Sequence, residues 1–206
     1  ITSESILKKI VKEALQAETV ALDTETTSLN YMDTDLVGIS LSFKNGEAHY
    51  IPIQHEDDSV DQLDINFVLE TLKPLLEGSK KKIIGQNIKF DRNVLAKYGI
   101  NIASIKNDTM MMSYVLDASA TRHNLDALSS YYLNYKTSTF EDVAGKGVKQ
   151  ITFDKVPIET ATHYAAEDAD ITLRLFEELN RKLINEGSLL KLNEEIEIPL
   201  IEVLSD

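Results

Sequence analysis

Residues 19–26 read TVALDTET: the short apolar run Val20-Ala21-Leu22, then acids alternating with threonines. A brief apolar run that ends in polar residues predicts a buried strand. Asp23 and Glu25 are two apart, so on a strand both point to one face, ~6–7 Å apart along the chain. They close the apolar run, where the active groups of open sheets lie. A turn ending the strand would explain the same residues without any chemistry, so the pair gains meaning only from partners elsewhere.

Working outward, LVGISLSF (36–43) and AHYIPI (48–53) flank Lys44-Asn45-Gly46-Glu47. Asn-Gly between two β-like runs predicts a hairpin. Upstream, residues 3–17 predict an amphipathic helix with Ile6, Leu7, Ile10, Val11 and Leu15 inward and Ser3 or Ser5 as N-cap. Residues 64–77 predict a second helix, with Ile65, Val68, Leu69, Leu72 and Leu76 inward. KKIIGQN (81–87) predicts another strand, followed by a helix over about 90–98 that Gly99 stops. A strand near 102–106, a helix over 109–117 and a helix over 125–133 capped by Asn124 follow. Residues 134–156 predict a loop with a short helical turn; Pro157 opens a long helix that Gly187 stops. The expectation is an α/β fold: a mixed sheet with helices on its faces, over residues 1–187. Residues 188–206 are acidic and amphipathic and lack a second core, so they predict a connector to a neighbouring domain.

The 206 residues suffice for one domain with a real core. No apolar run reaches ~18 residues, and the N-terminus has no signal-peptide pattern, so neither membrane nor export is expected. The opening residue is Ile1, which suggests a piece of a longer polypeptide. Absence of cysteine excludes disulfides and favours a reducing, cytoplasmic setting. The net charge of −13 opposes tight, non-specific duplex binding. A nucleic-acid function therefore needs bound cations, or a basic surface supplied by another part of the polypeptide.

On the long helix, Tyr164, Asp168, Ile171, Leu175 and Leu179 fall on one stripe at three- and four-residue spacing. An unpaired carboxylate among core-facing residues is expensive, so Asp168 demands a partner: an Arg, a backbone cap or a cation. Glu167 and Asp170 lie off the stripe and predict solvated surface. Asp91 sits in the first turn of its helix, where acids are favoured by the dipole alone. Taken together, the four acids would repel strongly, since two unit charges 4 Å apart cost ~4 kcal/mol at an effective dielectric near 20. Mg2+ or Mn2+ suits such an all-oxygen set, and a pair of such ions can hold both attacking water and leaving oxygen.

DTET, NIKFD and YAAEDAD resemble the three motifs of the DnaQ-like (DEDD) exonuclease superfamily. GQNIKFDRNVLAKYGI, FEDVAGKG and HYAAEDADITL resemble, more closely, the 3′–5′ proofreading exonuclease domains of bacterial family A DNA polymerases. The likeness covers essentially the whole chain and places the motifs in order; EIEIPLIEVLSD resembles the join to a polymerase domain. It implies an RNase H-like fold, a five-stranded mixed sheet with one antiparallel strand. It implies that Asp23 bridges two divalent ions, Mg2+ foremost with Mn2+ or Zn2+ in its place. Glu25 and Asp168 would complete the first site, Asp91 would hold the second ion through water, and Tyr164 would orient the attacking water. Deoxynucleoside 5′-monophosphates would leave a single-stranded or frayed DNA 3′ end.

The superfamily divides by its last motif: a Tyr four residues before the final Asp, or a His five before it. The chain has both, Tyr164 and His163. Tyr164 shares the face of Asp168, while His163 is turned ~100° away, which favours the Tyr subclass. Leu29 resembles an apolar wedge against the terminal base, and Phe140 a stacking aromatic. Gln86, Asn87 and Arg122 resemble residues near the strand end, and Thr26 could offer its backbone N–H to the terminal sugar. Phe90 stands where relatives often carry Tyr. Lys80-Lys81-Lys82, His123 and Met110–Met112 read as structural or solvated. The same motifs fit an RNase D-like RNA exonuclease or an inactive structural domain, although the latter predicts lost acids. A monomer, joined to its polymerase domain and working at the bacterial nucleoid, is the expected setting.

Overall fold

A computed structural model describes residues 1–206 except 79, 81 and 206, so Lys81 lies outside the described residues. The elements run α1 (Glu4–Gln16), β1 (Val20–Thr26), β2 (Leu36–Lys44), β3 (Glu47–Pro52), α2 (Ile65–Leu76), β4 (Ile83–Gly85), α3 (Ile88–Ala96), β5 (Ile105–Asp108) and α4 (Thr109–Leu116). Short helices α5 (Leu125–Leu128) and α6 (Phe140–Ala144) precede the long α7 (Ile158–Asn185), then α8 (Gly187–Leu192) and α9 (Ile198–Val203). Among the described residues no helix is long and apolar enough to cross a membrane.

The sheet order is β3-β2-β1-β4-β5. β2 runs antiparallel to both β1 and β3, while β1, β4 and β5 are parallel. This is the five-stranded mixed sheet with one reversed strand. The hairpin forms where Asn-Gly predicts it, and Gly46 takes φ +77°, a left-handed value that a Cβ would oppose. Period-2 alternation then splits β1 between two cores. Val20 and Leu22 join the cluster built with α1, α2 and α3. Ala21 faces the other way, into the cluster of Ile171, Leu175 and Leu179 on α7. Asp23 and Glu25 are in phase with Ala21, so both lie on the α7 face.

Several expectations are corrected. Ile6 and Leu15 are exposed, and Leu7, Ile10, Val11 and Ala14 form the buried stripe of α1. Ser3 occupies the N-cap position without a capping hydrogen bond. The third strand partner starts three residues late, at Ile105, because the preceding Ile100 and Ile102 are buried as an irregular segment. Lys82 is buried, not solvated: its Nζ donates to the carbonyls of Leu15 (2.8 Å) and Ala17 (3.0 Å) and closes the end of α1. Glu167 and Asp170 are tethers, not free surface. Glu167 accepts from the Tyr135 hydroxyl and Ser138 N, both at 2.7 Å, and Asp170 accepts from Gly46 N at 2.6 Å. The break after α7 falls at Glu186, and the chain re-enters helix at Gly187. Ile198 and Ile201 of that last stretch bury themselves in the α1–α3 core.

Candidate active site

β1 carries Asp23 and Glu25 to the edge of a cleft of about 550 Å³. α7 approaches this face closely because its inward residues Ala161, Ala165 and Ala169 are small, and β2 opposes Glu25 and Asp23 with Gly38 and Ser40. The approach brings Asp168 to the pair, and ligand oxygens of Asp23, Glu25 and Asp168 lie within 4.8 Å of one another. A register shift between Glu25 and Thr26, with Val37 as the extra residue of β2, marks the mouth. Such bulges re-aim side chains beside active sites.

Asp91 enters from α3 and does not join that trio directly. β4 pairs β1 only at Val20 and Ala21, which leaves the Thr24 amide without a strand partner on that side. Asp91 fills the place: its Oδ1 accepts from Thr24 N at 2.9 Å and from Thr24 Oγ1 at 2.6 Å. Thr24, between the two acids and facing the other way, is the residue that the sequence reading missed. The alternation within DTET was the available signal.

The electrostatics are one-sided. Burial pushes the Asp23 carboxyl up to about 7, with the Thr24 amide pulling the other way. Glu25, Asp91 and Asp168 all stand well above the usual carboxylate range, first through burial and then through the neighbouring carboxylates. No Lys or Arg pairs with any of the four among the described residues. Glu25 Oε1 is buried with no hydrogen-bond partner. An orphaned carboxylate oxygen in a group of like charges fits a hard divalent cation, which takes oxygen ligands.

The cleft is lined by Asp23, Thr26, Leu29, Phe90, Phe140, Tyr164 and Asp168, together with Gln150, Ile151 and Thr152 of the loop before α7. Leu29 is 93 % exposed, so it is no core leucine. Phe140 is partly exposed and stacks on Phe153 at 6.3 Å, and Phe153 also meets Tyr164 at 5.8 Å. Tyr164 faces Asp168, whereas His163 is exposed and outside the cleft. Burial and the carboxylates raise the Tyr164 hydroxyl far above its ordinary value. Gln86, Asn87 and Arg122 do not line the cleft. The Gln86 amide is already engaged, donating to His123 O at 2.8 Å and accepting from Thr109. Asn87 takes a left-handed φ of +62° at the start of α3, and Arg122 is exposed.

This sheet order, with acids of the first strand and the long helix meeting at one cleft and Asp91 of α3 bonded to the same strand at Thr24, defines the RNase H-like class of exonucleases. The family model described as 3′-5′ exonuclease, of the DNA polymerase A type, matches residues 1–184. DNA polymerase I of Pseudomonas aeruginosa is 50% identical over 95% of this chain, and DNA polymerase I of Rhizobium leguminosarum 40% identical over 97%. The chain spans about a fifth of those relatives, 22% and 21% of their lengths. Among solved structures, the POL domain of Pol1 from M. smegmatis superposes with a TM-score of 0.73 at 18% identity, covering 100% of this chain and 30% of that one. The chain belongs to the 3′-5′ exonuclease domain family of DNA polymerase I. Domains of this family use divalent metals.

Proposed function

We propose that this domain shortens a single-stranded or frayed DNA from its 3′ end. Water adds to the terminal phosphorus, the bond to the penultimate O3′ breaks, and a deoxynucleoside 5′-monophosphate leaves. The observation that carries this reading is the trio of half-buried Asp23 with buried Glu25 and Asp168, which no Lys or Arg neutralises among the described residues, with an orphaned Glu25 oxygen, opening beside the exposed Leu29. Asp23, Glu25, Asp91 and Asp168 would hold two divalent ions, Mg2+ first and Mn2+ or Zn2+ in substitution; when bound, they supply Lewis-acid stabilisation of charge on the phosphate oxygens.

The chain's own residues do the rest. Tyr164 keeps its proton at neutral pH, because burial and the facing carboxylates oppose its ionisation. It therefore serves as a hydrogen-bond donor that orients water, not as a base. Leu29 pushes against the terminal base, and Phe140 stacks a base, worth ~1–3 kcal/mol. Thr26 meets the terminal sugar, while Gln86, Asn87 and Arg122 act outside the cleft, on the strand that leads to it. Residues 1–187 form the nuclease unit, and 188–206 lead toward the polymerase domain of the same polypeptide. That neighbour supplies the grip that a net charge of −13 denies this domain. The setting is proofreading during DNA replication and repair by a monomer in the bacterial cytoplasm, at the nucleoid. The relatives matched are DNA polymerases, which favours DNA over RNA as substrate.

The test is release of label from a 3′-labelled single strand with Mg2+ or Mn2+. EDTA should abolish it. Asp23→Ala should cost at least ~100-fold, since even groups behind a metal's ligands cost 10–100-fold. Activity that survives both treatments overturns the proposal.

A further inference from the structure

Asp108 ends β5 and is 1 % exposed. Its carboxylate accepts from four backbone amides on two helices. Asn87 N (3.2 Å) and Ile88 N (2.7 Å) belong to the start of α3; Met110 N (2.8 Å) and Met111 N (3.3 Å) belong to the start of α4. A helix leaves its first amides unpaired, and one buried carboxylate here satisfies both ends. α3 has no substitute, because Asn87 makes no side-chain cap and sits in the left-handed region.

The consequence reaches the cleft. Asp91 stands three residues after Ile88, one turn into α3, and meets Thr24 through its two hydrogen bonds. The placement of that turn is what lets Asp91 serve the β1 edge beyond the end of β4. The turn itself hangs on Asp108.

We infer that Asp108 is a positioning residue for hydrolysis: by binding the first turn of α3 to β5 and α4, it sets Asp91 against Thr24. This rests on the proposed nuclease reading of the cleft. Asp108 touches neither the cleft nor its acids, so its effect on turnover runs through Asp91.

Asp108→Asn tests it. One acceptor oxygen remains, and the new amide turns a donor toward donors. Turnover on a single strand at saturating Mg2+ should fall ~10- to 100-fold, the cost of a misplacement of about 1 Å. Without substrate or metal, hydrogen exchange at the Thr24 amide should accelerate along with Asn87 and Ile88. In an Asp91→Asn background the further cost of Asp108→Asn should shrink to within ~2-fold, as coupled residues require. Faster exchange at residues 87, 88, 110 and 111 with Thr24 protection and turnover intact overturns the inference, as does an undiminished cost in the Asp91→Asn background. Should Asp108→Asn not fold, Asp108→Glu keeps the charge but lengthens the arm. It must show the same paired losses, and intact turnover there overturns the inference equally. If the unsubstituted chain releases no nucleotide, the nuclease reading fails instead, and the Thr24 exchange still reports whether Asp108 places Asp91.

Discussion

Tyr164 and His163 are chain neighbours with opposite surroundings. The hydroxyl of Tyr164 lies in the cleft facing Asp168, while the imidazole of His163 is turned to solvent. Helical phase decided this in the sequence, because Tyr164 falls on the stripe of Asp168 and His163 does not. The expected outcome is that Tyr164→Phe, which removes only an oxygen, lowers kcat ~10- to 100-fold through lost orientation of water. His163→Ala should stay within about two-fold, as surface substitutions of ±0.5 kcal/mol do. Single-turnover rates on the same strand check both, and the opposite order would sink the assignment. Asp168 was equally legible, as an acid on a core stripe. Asp91 was legible only through the resemblance of NIKFD: on the residues alone a helix-dipole role explained it, and its hydrogen bonds from Thr24 show its second duty. Asp108 escaped notice for a similar reason, since an Asp before Thr109 reads as an ordinary cap for one helix and nothing local reveals the other.

At the scale of elements, the hairpin and α7 were legible because each carries its own punctuation, Asn-Gly in one and Pro157 in the other. For β5 the strand was legible but its start was not, because three buried isoleucines between 100 and 105 give no period that separates strand from irregular backbone. The β2 face is the subtler case. Gly38 opposes Glu25, and a Cβ there would lie 2.1 Å from the Tyr50 hydroxyl and 2.4 Å from its Cζ. Tyr50 cannot yield easily: it is 2 % exposed, and its hydroxyl bonds His55 Nε2 at 2.7 Å, whose Nδ1 meets Val156 O at 3.0 Å. Gly38→Ala should therefore destabilise by ~1–3 kcal/mol, the range for overpacking a close-packed interior. Urea melts of the single variant, and of Gly38→Ala with Tyr50→Leu, check it. The second change should restore most of the loss, and a Gly38→Ala variant as stable as the parent would refute the close approach. No sequence pattern marks such a glycine, because its need arises from a tyrosine twelve residues away on the next strand.

For the whole molecule, the charge of the cleft sets how stability depends on pH and metal. The Asp23 carboxyl stands at about 7 in the folded protein against an ordinary 3.8, and the other three acids are raised as well. The folded state thus binds protons more tightly than the unfolded one; Asp23 contributes stability that is complete below about pH 4 and lost as pH rises through 7, and the other three act in the same sense. At ~1.4 kcal/mol per unit, Asp23 alone has a ceiling of ~4 kcal/mol, and its partial exposure to water reduces that to ~1–3 kcal/mol. Surface carboxylates such as Asp57, Asp117 and Asp142 are lowered by their hydrogen bonds and act in the opposite sense. The informative quantity is therefore a difference between variants. In EDTA, Asp23→Asn should be more stable than the parent at pH 8, and the gap should shrink by pH 5. Excess Mn2+ should then raise the parent by ~2.7 kcal/mol at a hundredfold of its dissociation constant, and the variant by less. Melting curves at both pH values, with and without metal, separate these outcomes. A parent as stable as Asp23→Asn at pH 8 in EDTA, with no gain from metal, would mean that the four acids do not carry the uncompensated charge that their burial implies.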